Sequence, residues 1–209
     1  SVEYFDNEGV NQFQIDCGLR VHGGASRQPE KTPKHSLRLT FRSDYGFSKL
    51  QFPLFGDGES SFNSIVLRAG YGNSWLHFNR SERLRHQLIR DVWAKDTQND
   101  MGQYGGRGTY VHLYLNGMYW GIYNPTERLD DDYGESYFGG NKDNYDVIKD
   151  NAEVADGNIT AWNNLMNLAK QGMDSQDNYM RLQGKNPDGT DNPGYPAYID
   201  IENFIDYMI

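Results

Sequence analysis

The chain has 209 residues, 37% of them hydrophobic, with 4 Trp, 15 Tyr, 10 Phe and a formal net charge of −9. That is enough apolar material for one filled core or for a domain with a small lobe attached, and it excludes wholesale disorder. The acidic balance argues against a nucleic-acid partner, no stretch reaches the roughly 18 to 20 apolar residues of a membrane span, and the lone Cys17 excludes an internal disulfide and a cysteine-based zinc site.

In chain order, the first signal is a pair of alternating runs around a glycine-, proline- and lysine-rich loop. From Phe13, the first run sets Phe13, Ile15, Cys17, Leu19 and Val21 on one side, and Gln14, Asp16, Arg20 and His22 on the other. The second sets Leu37, Leu39 and Phe41 against Lys34, Ser36, Arg38 and Thr40. Between them lies "HGGASR", a loop directly after a strand whose backbone N–H groups, with Ser26 and Arg27, suit a phosphate. It matches neither common phosphate-loop pattern, and a plain turn explains it equally. Arg20, Lys34 and Arg38 on one sheet face are costly to hold together without an anion, although a solvated strand face is the simpler account.

"SIVLRAG" is a short apolar run that suits a central strand over Ser64–Arg68. "RSERLRHQLIRDVWAKDTQ" predicts a helix over 81–97, capped by Ser81, with Leu84, Leu88, Ile89 and Val92 as its inner stripe. "TYVHLYLNGMYWGIY" predicts a hairpin, because Asn116-Gly117 tolerates the positive φ of a type I′ turn. Pairing outward gives Leu115 with Met118, Leu113 with Trp120 and Val111 with Ile122 on one face, and Tyr114 with Tyr119 and Tyr110 with Tyr123 on the other. In that register Trp120 faces the core.

Beyond Pro125 the pattern becomes helical. "ERLDDDYGESYFGG" reads as a short helix, "YDVIK" as a brief strand, and "ITAWNNLMNLAKQG" as an amphipathic helix over 158–171 stopped by Gly172. "QGKNPDGTDNPGYPAY" is a loop. The helical pattern of "DIENFIDYMI", capped by Asp200, is still apolar at Ile209, which implies continuation.

No metal site is expected. The five histidines are scattered, and the consecutive Asp130, Asp131 and Asp132 would point in different directions along a helix. "NPDGTDNPG" lacks full EF-hand spacing. No G-x-S-x-G element supports a serine hydrolase.

Taken in order, "GLRVHGGASR", "PKHSLRLTFR", "LQFPLFG", "FNSIVLRAG", "LRHQLIRDVW" and "YVHLYLNGMYWGIYNPTERLD" resemble the spore-coat CotH protein kinase family. The resemblance implies an α+β architecture: a kinase-like small lobe of mainly antiparallel strands with a packed helix over 1–125, then the start of a mostly helical lobe over 126–209. It implies an atypical kinase, extracellular or on the cell surface, that transfers the γ-phosphate of ATP to Ser or Thr of a protein with Mg²⁺ or Mn²⁺. On the same ground Lys34 is the phosphate-contacting lysine, Arg20, Gly23, Gly24, Ser26 and Arg27 line the phosphate side, and Glu127 lies near the adenine. Glu82 or Asp91 would brace Lys34. The family's catalytic and metal-binding aspartates are expected beyond Ile209, so the 209 residues alone are expected to lack turnover. The alternative is a non-catalytic carbohydrate- or protein-binding module, with Trp75 in the loop-like "YGNSW" as its stacking surface.

Overall fold

The alternation in the sequence becomes a five-stranded antiparallel sheet with one apolar and one polar face. In a computed structural model that describes all 209 residues, the sheet is built from β3 (Gly18–His22), β4 (Ser36–Thr40), β7 (Ser64–Arg68), β8 (Val111–Leu115) and β9 (Met118–Glu127), in the order β3-β4-β7-β9-β8. Three two-stranded ribbons flank it: β1 (Val2–Phe5) with β2 (Asn11–Ile15), β5 (Leu50–Gln51) with β6 (Ser61–Phe62), and β10 (Val147–Lys149) with β11 (Glu153–Asp156). The helices are α1 (Arg80–Leu84), α2 (Arg90–Asp100), α3 (Asp131–Phe138), α4 (Thr160–Ala169), α5 (Gln176–Leu182) and α6 (Ile201–Met208). The expected α+β class and mainly antiparallel pairing are therefore present. None of the helices is long and apolar enough to cross a membrane.

Strand β7 is central, as its continuous apolar run requires, and Ile65, Val66 and Leu67 are all buried. Leu37 and Leu39 join Ile65, Leu67 and Tyr123 on the core face, where Phe41, Leu50, Phe62 and Ile15 close over them. Strict period-2 geometry then sends Ser36, Arg38 and Thr40 to the opposite face.

Three expectations change on folding. The run from Phe13 to Val21 is divided between two sheets, because β2 ends at Ile15 and β3 starts at Gly18. Phe13 and Cys17 pack on the core, but Leu19 and Val21 lie on an edge strand and remain 55% and 44% exposed.

The hairpin keeps its Asn116-Gly117 turn and the pairs Leu115–Met118 and Tyr114–Tyr119, then slips by one residue at a bulge. Leu113 faces Gly121, His112 faces Ile122 and Val111 faces Tyr123. Gly121 takes φ 113°, which a side chain would resist. The slip turns Tyr123 inward to 1% exposure and leaves Trp120 outside at 48%, reversing their expected places.

The helix expected over 81–97 is two helices. Its N-cap is Asn79, whose side chain accepts from Ser81 N, rather than Ser81 itself. Side chains take over backbone carbonyls around the break: His86 Nδ1 lies 2.7 Å from Arg83 O, Arg90 Nη2 donates to Arg85 O at 2.7 Å, and Tyr110 donates to Leu88 O at 2.9 Å. Half of the intended inner stripe stays out, with Leu84 and Ile89 70% and 65% exposed, while Leu88 and Val92 are half-buried.

Downstream, the short helix after the hairpin, the 147–149 strand, the 160–169 helix and the Asp200-capped final helix form as expected, and α5 is an addition.

The energetic centre is therefore the Ile65–Tyr123–Phe41 side of the sheet. Ile65→Ala should cost about 2 to 5 kcal/mol in urea unfolding, whereas Leu19→Ala, although apolar and equally alternating, should cost less than about 1 kcal/mol.

Candidate functional site

The polar face of the sheet carries more cation than it neutralises. Arg20 and Arg38 are direct cross-strand partners, and Arg38 Nε is buried with no hydrogen-bond acceptor. Beside them a hollow of about 460 Å³ opens between the sheet, the loop after β3 and the segment after β9. His22, Arg68, Lys95, Arg128 and Lys149 line it, against the single carboxylate of Glu127.

The titrating groups register this crowding. Burial pulls the His22 imidazole below its ordinary pKa, and the nearby charges of Arg128, Lys149, Arg20 and Arg68 pull the same way. Burial also lowers Lys95, with Arg68 adding to it and Asp91 opposing. A chain of net charge −9 has thus gathered cations around one space of ligand size.

Helix α2 reaches the hollow through Lys95, and Asp91 braces the cations there. Its carboxylate accepts from Arg68 Nη1 at 2.5 Å, and Lys95 Nζ lies 3.3 Å away, one helical turn on. Lys95 also donates to Thr126 Oγ1 at 3.3 Å. Neither Glu82 nor Asp91 braces Lys34 as expected: Asp91 pairs with Arg68 and Lys95 instead, and Glu82 forms no ion pair.

The braced cation is Arg68, not Lys34. The regular strand begins at Ser36, and Lys34 sits in a bend before it, so the β4 alternation does not extend that far. The Lys34 ammonium donates to Ile122 O and rests 4.3 Å from the centre of the Tyr123 ring. Tyr123 belongs to the core face, whereas Asn124 and Thr126 alternate to the polar face. Lys34 therefore does not line the hollow.

The remaining expected residues divide by position. Gly23 and Ser26 line the hollow. Gly23 has φ 116°, and a Cβ there would stand 2.2 Å from Ser26 Oγ, so the loop admits only glycine without rearrangement. His35 Nδ1 holds the loop through Ser26 O at 2.8 Å. Gly24 and Arg27 belong to the exposed side of the same turn, and Arg20 is exposed on β3. Glu127 lines the hollow but its oxygens are engaged, accepting from Arg107 N at 2.7 Å and Tyr137 OH at 2.6 Å. Burial pushes its carboxyl above the usual carboxylate range, against those two hydrogen bonds.

Arg68, Lys95, Arg128 and Lys149 were not among the expected site residues. The signal for Arg68 was present: it ends an apolar strand at the parity of Ser64 and Val66, and a half-exposed arginine there has to point to the polar face. Lys95 follows Asp91 by four residues, but only the docked helix shows that this side faces the sheet.

A sequence model of the family described as CotH kinase protein matches residues 19–209. The chain belongs to that family. No curated protein matches the chain. Within the CotH kinase family assignment, the matched span takes in the glycine loop, Arg68, Asp91, Lys95 and Glu127 alike, so the hollow lies wholly inside it.

The Arg68–Asp91 contact is partly solvated, so a double-mutant cycle with Arg68→Ala and Asp91→Ala should give a coupling of about 1 kcal/mol in urea unfolding, falling in 1 M salt.

Proposed function

We propose that the hollow binds the polyphosphate of ATP, and that the chain is part of an atypical kinase acting on Ser or Thr of a protein outside the cell or at its surface. The observation that carries the nucleotide reading is the convergence of His22, Arg68, Lys95, Arg128 and Lys149 on one space beside a glycine loop. Their mutual repulsion is relieved by an anion of several charges. The reading is supported further by the strand-to-helix ion pair, since protein kinases hold phosphates with a strand cation braced by a helix carboxylate. On this account Arg68, with Lys95 beside it, takes the role expected of Lys34. Gly23 and Ser26 offer backbone and hydroxyl donors and Glu127 borders the far side, while Arg20, Gly24 and Arg27 do not line it.

The expected Mg²⁺ or Mn²⁺ does not fit the donors of this hollow. Glu127 is its one carboxylate, and both of its oxygens already accept hydrogen bonds. No phosphoryl-transfer step runs through these residues. Their part is to bind, neutralise and orient an anion.

Calorimetric titration with ATP tests the assignment. Arg68→Ala and Lys95→Ala should each weaken binding by about 10-fold or more, the scale of a lost charge-assisted hydrogen bond, while Lys34→Ala should stay within about 2-fold and lower thermal stability instead. Absence of saturable binding, or selective loss in Lys34→Ala, would refute it.

A pH dependence follows as well. The depressed pKa of His22 leaves it neutral near pH 7, and a bound polyphosphate shields Arg128, Lys149, Arg20 and Arg68, restoring its basicity. Binding then takes up a proton, so affinity should rise relative to His22→Gln as pH falls from about 7 to about 5.5. Parallel profiles for the two proteins would exclude His22 from the contact.

A further inference from the structure

The carboxylates at the start of α3 are already satisfied. Asp130 is the N-cap of that helix, with extended backbone, so its side chain meets those of Asp131 and Asp132 instead of diverging from them. Arg128 and Tyr133 N hold Asp130, while Asn63 and Lys142 hold Asp132. The segment between the central strand and α2 is the opposite case, because its charges have no partners.

Residues 80–90 carry four arginines, Arg80, Arg83, Arg85 and Arg90, against the single carboxylate of Glu82. All four are exposed, and none forms an ion pair. Asp91, next in sequence, is committed to Arg68 and Lys95. In a chain of net charge −9, a local excess of this size is a feature of the surface and not of the composition.

Large apolar side chains stand among these cations. The break between α1 and α2 leaves Leu84 and Ile89 outside, and Trp93, one helical turn beyond Ile89, is 68% exposed. Trp75 and Phe78, on the preceding loop, are open as well. Contacts join these pieces into one surface. Arg83 Nη1 donates to His77 O at 3.2 Å and to Phe78 O at 3.4 Å, and Arg90 reaches back to Arg85 O. The rings of His86 and Trp75 meet edge to face, with centroids 5.4 Å apart. Lys31 Nζ adds a further cation 4.3 Å from the centre of the Phe78 ring.

Charge and shape together select the occupant. Unpaired guanidinium groups call for anions, phosphate above all. Side chains as open as Leu84, Ile89 and Trp93 protrude, so they offer no groove to an extended chain or a helix. They suit a boundary that they can enter while the arginines stay at its charged margin, as an amphipathic segment does in a lipid headgroup layer. Tryptophan is favoured at that depth.

We propose that the face built by residues 75–93 docks on an anionic lipid bilayer. Trp75, Leu84, Ile89 and Trp93 dip below the headgroups, and Arg80, Arg83, Arg85 and Arg90 stay at their phosphates. The docking is peripheral, since no helix is long and apolar enough to cross a membrane. It does not rest on the nucleotide reading, because none of these residues lines the cationic hollow.

Sedimentation of the 209-residue chain, without nucleotide, tests this with phosphatidylcholine vesicles that contain about a third phosphatidylserine. Expected are binding to these vesicles and not to phosphatidylcholine alone, a blue shift of tryptophan emission on binding, and release in about 1 M salt. Arg80→Gln and Arg85→Gln should each weaken the partition about 5-fold, and Trp93→Ala about 10-fold, with unchanged circular dichroism. Arg42→Gln, beyond the other end of β4, and Lys149→Gln, in the hollow, should bind as the parent does. Equal binding to neutral vesicles, or the parent's affinity in Arg85→Gln, would overturn the proposal. So would tighter binding of soluble polyglutamate than of vesicles, which makes the occupant an acidic polypeptide, or a dimer abolished by Trp93→Ala, which makes it a second copy. Loss of binding in Lys149→Gln would assign the headgroup to the hollow and overturn it as well. None of these outcomes depends on whether ATP binds.

Discussion

Helix α2 has no fully buried residue, yet it lies on the sheet and carries a carboxylate to its polar face. Asp91 helps to hold it there, accepting from Arg68 on the central strand and lying beside Lys95 on its own helix, together with the Lys95–Thr126 and Asn99–Gly105 hydrogen bonds. Without that carboxylate Arg68 and Lys95 would repel each other across the same gap, and the helix would have little apolar area to keep it docked. The bridge sits where Lys95 turns to Thr126 and the hollow opens.

The bridge also explains how an acidic chain keeps a cationic interior space. Asp91 neutralises part of the charge of two cations, and Glu127 is drawn away by Arg107 and Tyr137. Arg128 turns toward Asp130 on the far side. The segment from Glu127 to Asp130 thereby separates a space lined mainly by cations from one lined mainly by carboxylates.

The exposed surface fits this picture of polar docking. At 13,288 Å² it exceeds the roughly 10,000 Å² typical of a folded chain of this mass. Much of it is large side chains left open: Trp93 on α2, Tyr207 and Met208 on α6, and Trp120 on the hairpin.

Local sequence determined the central strand, the Asn116-Gly117 turn, the Asp200 cap and the alternation of β4, because each depends on residues a few positions apart and on the fixed periods of strand and helix. Tertiary structure decided that Asp91 braces Arg68 and Lys95 rather than Lys34, since the pairing turns on how α2 docks across β7. It decided as well that Tyr123 rather than Trp120 enters the core, through a one-residue bulge that no pattern of alternation contains. The place of Lys34 was lost for the same reason: period-2 reasoning holds only inside a strand, and where a strand begins is set by hydrogen bonds to its neighbours.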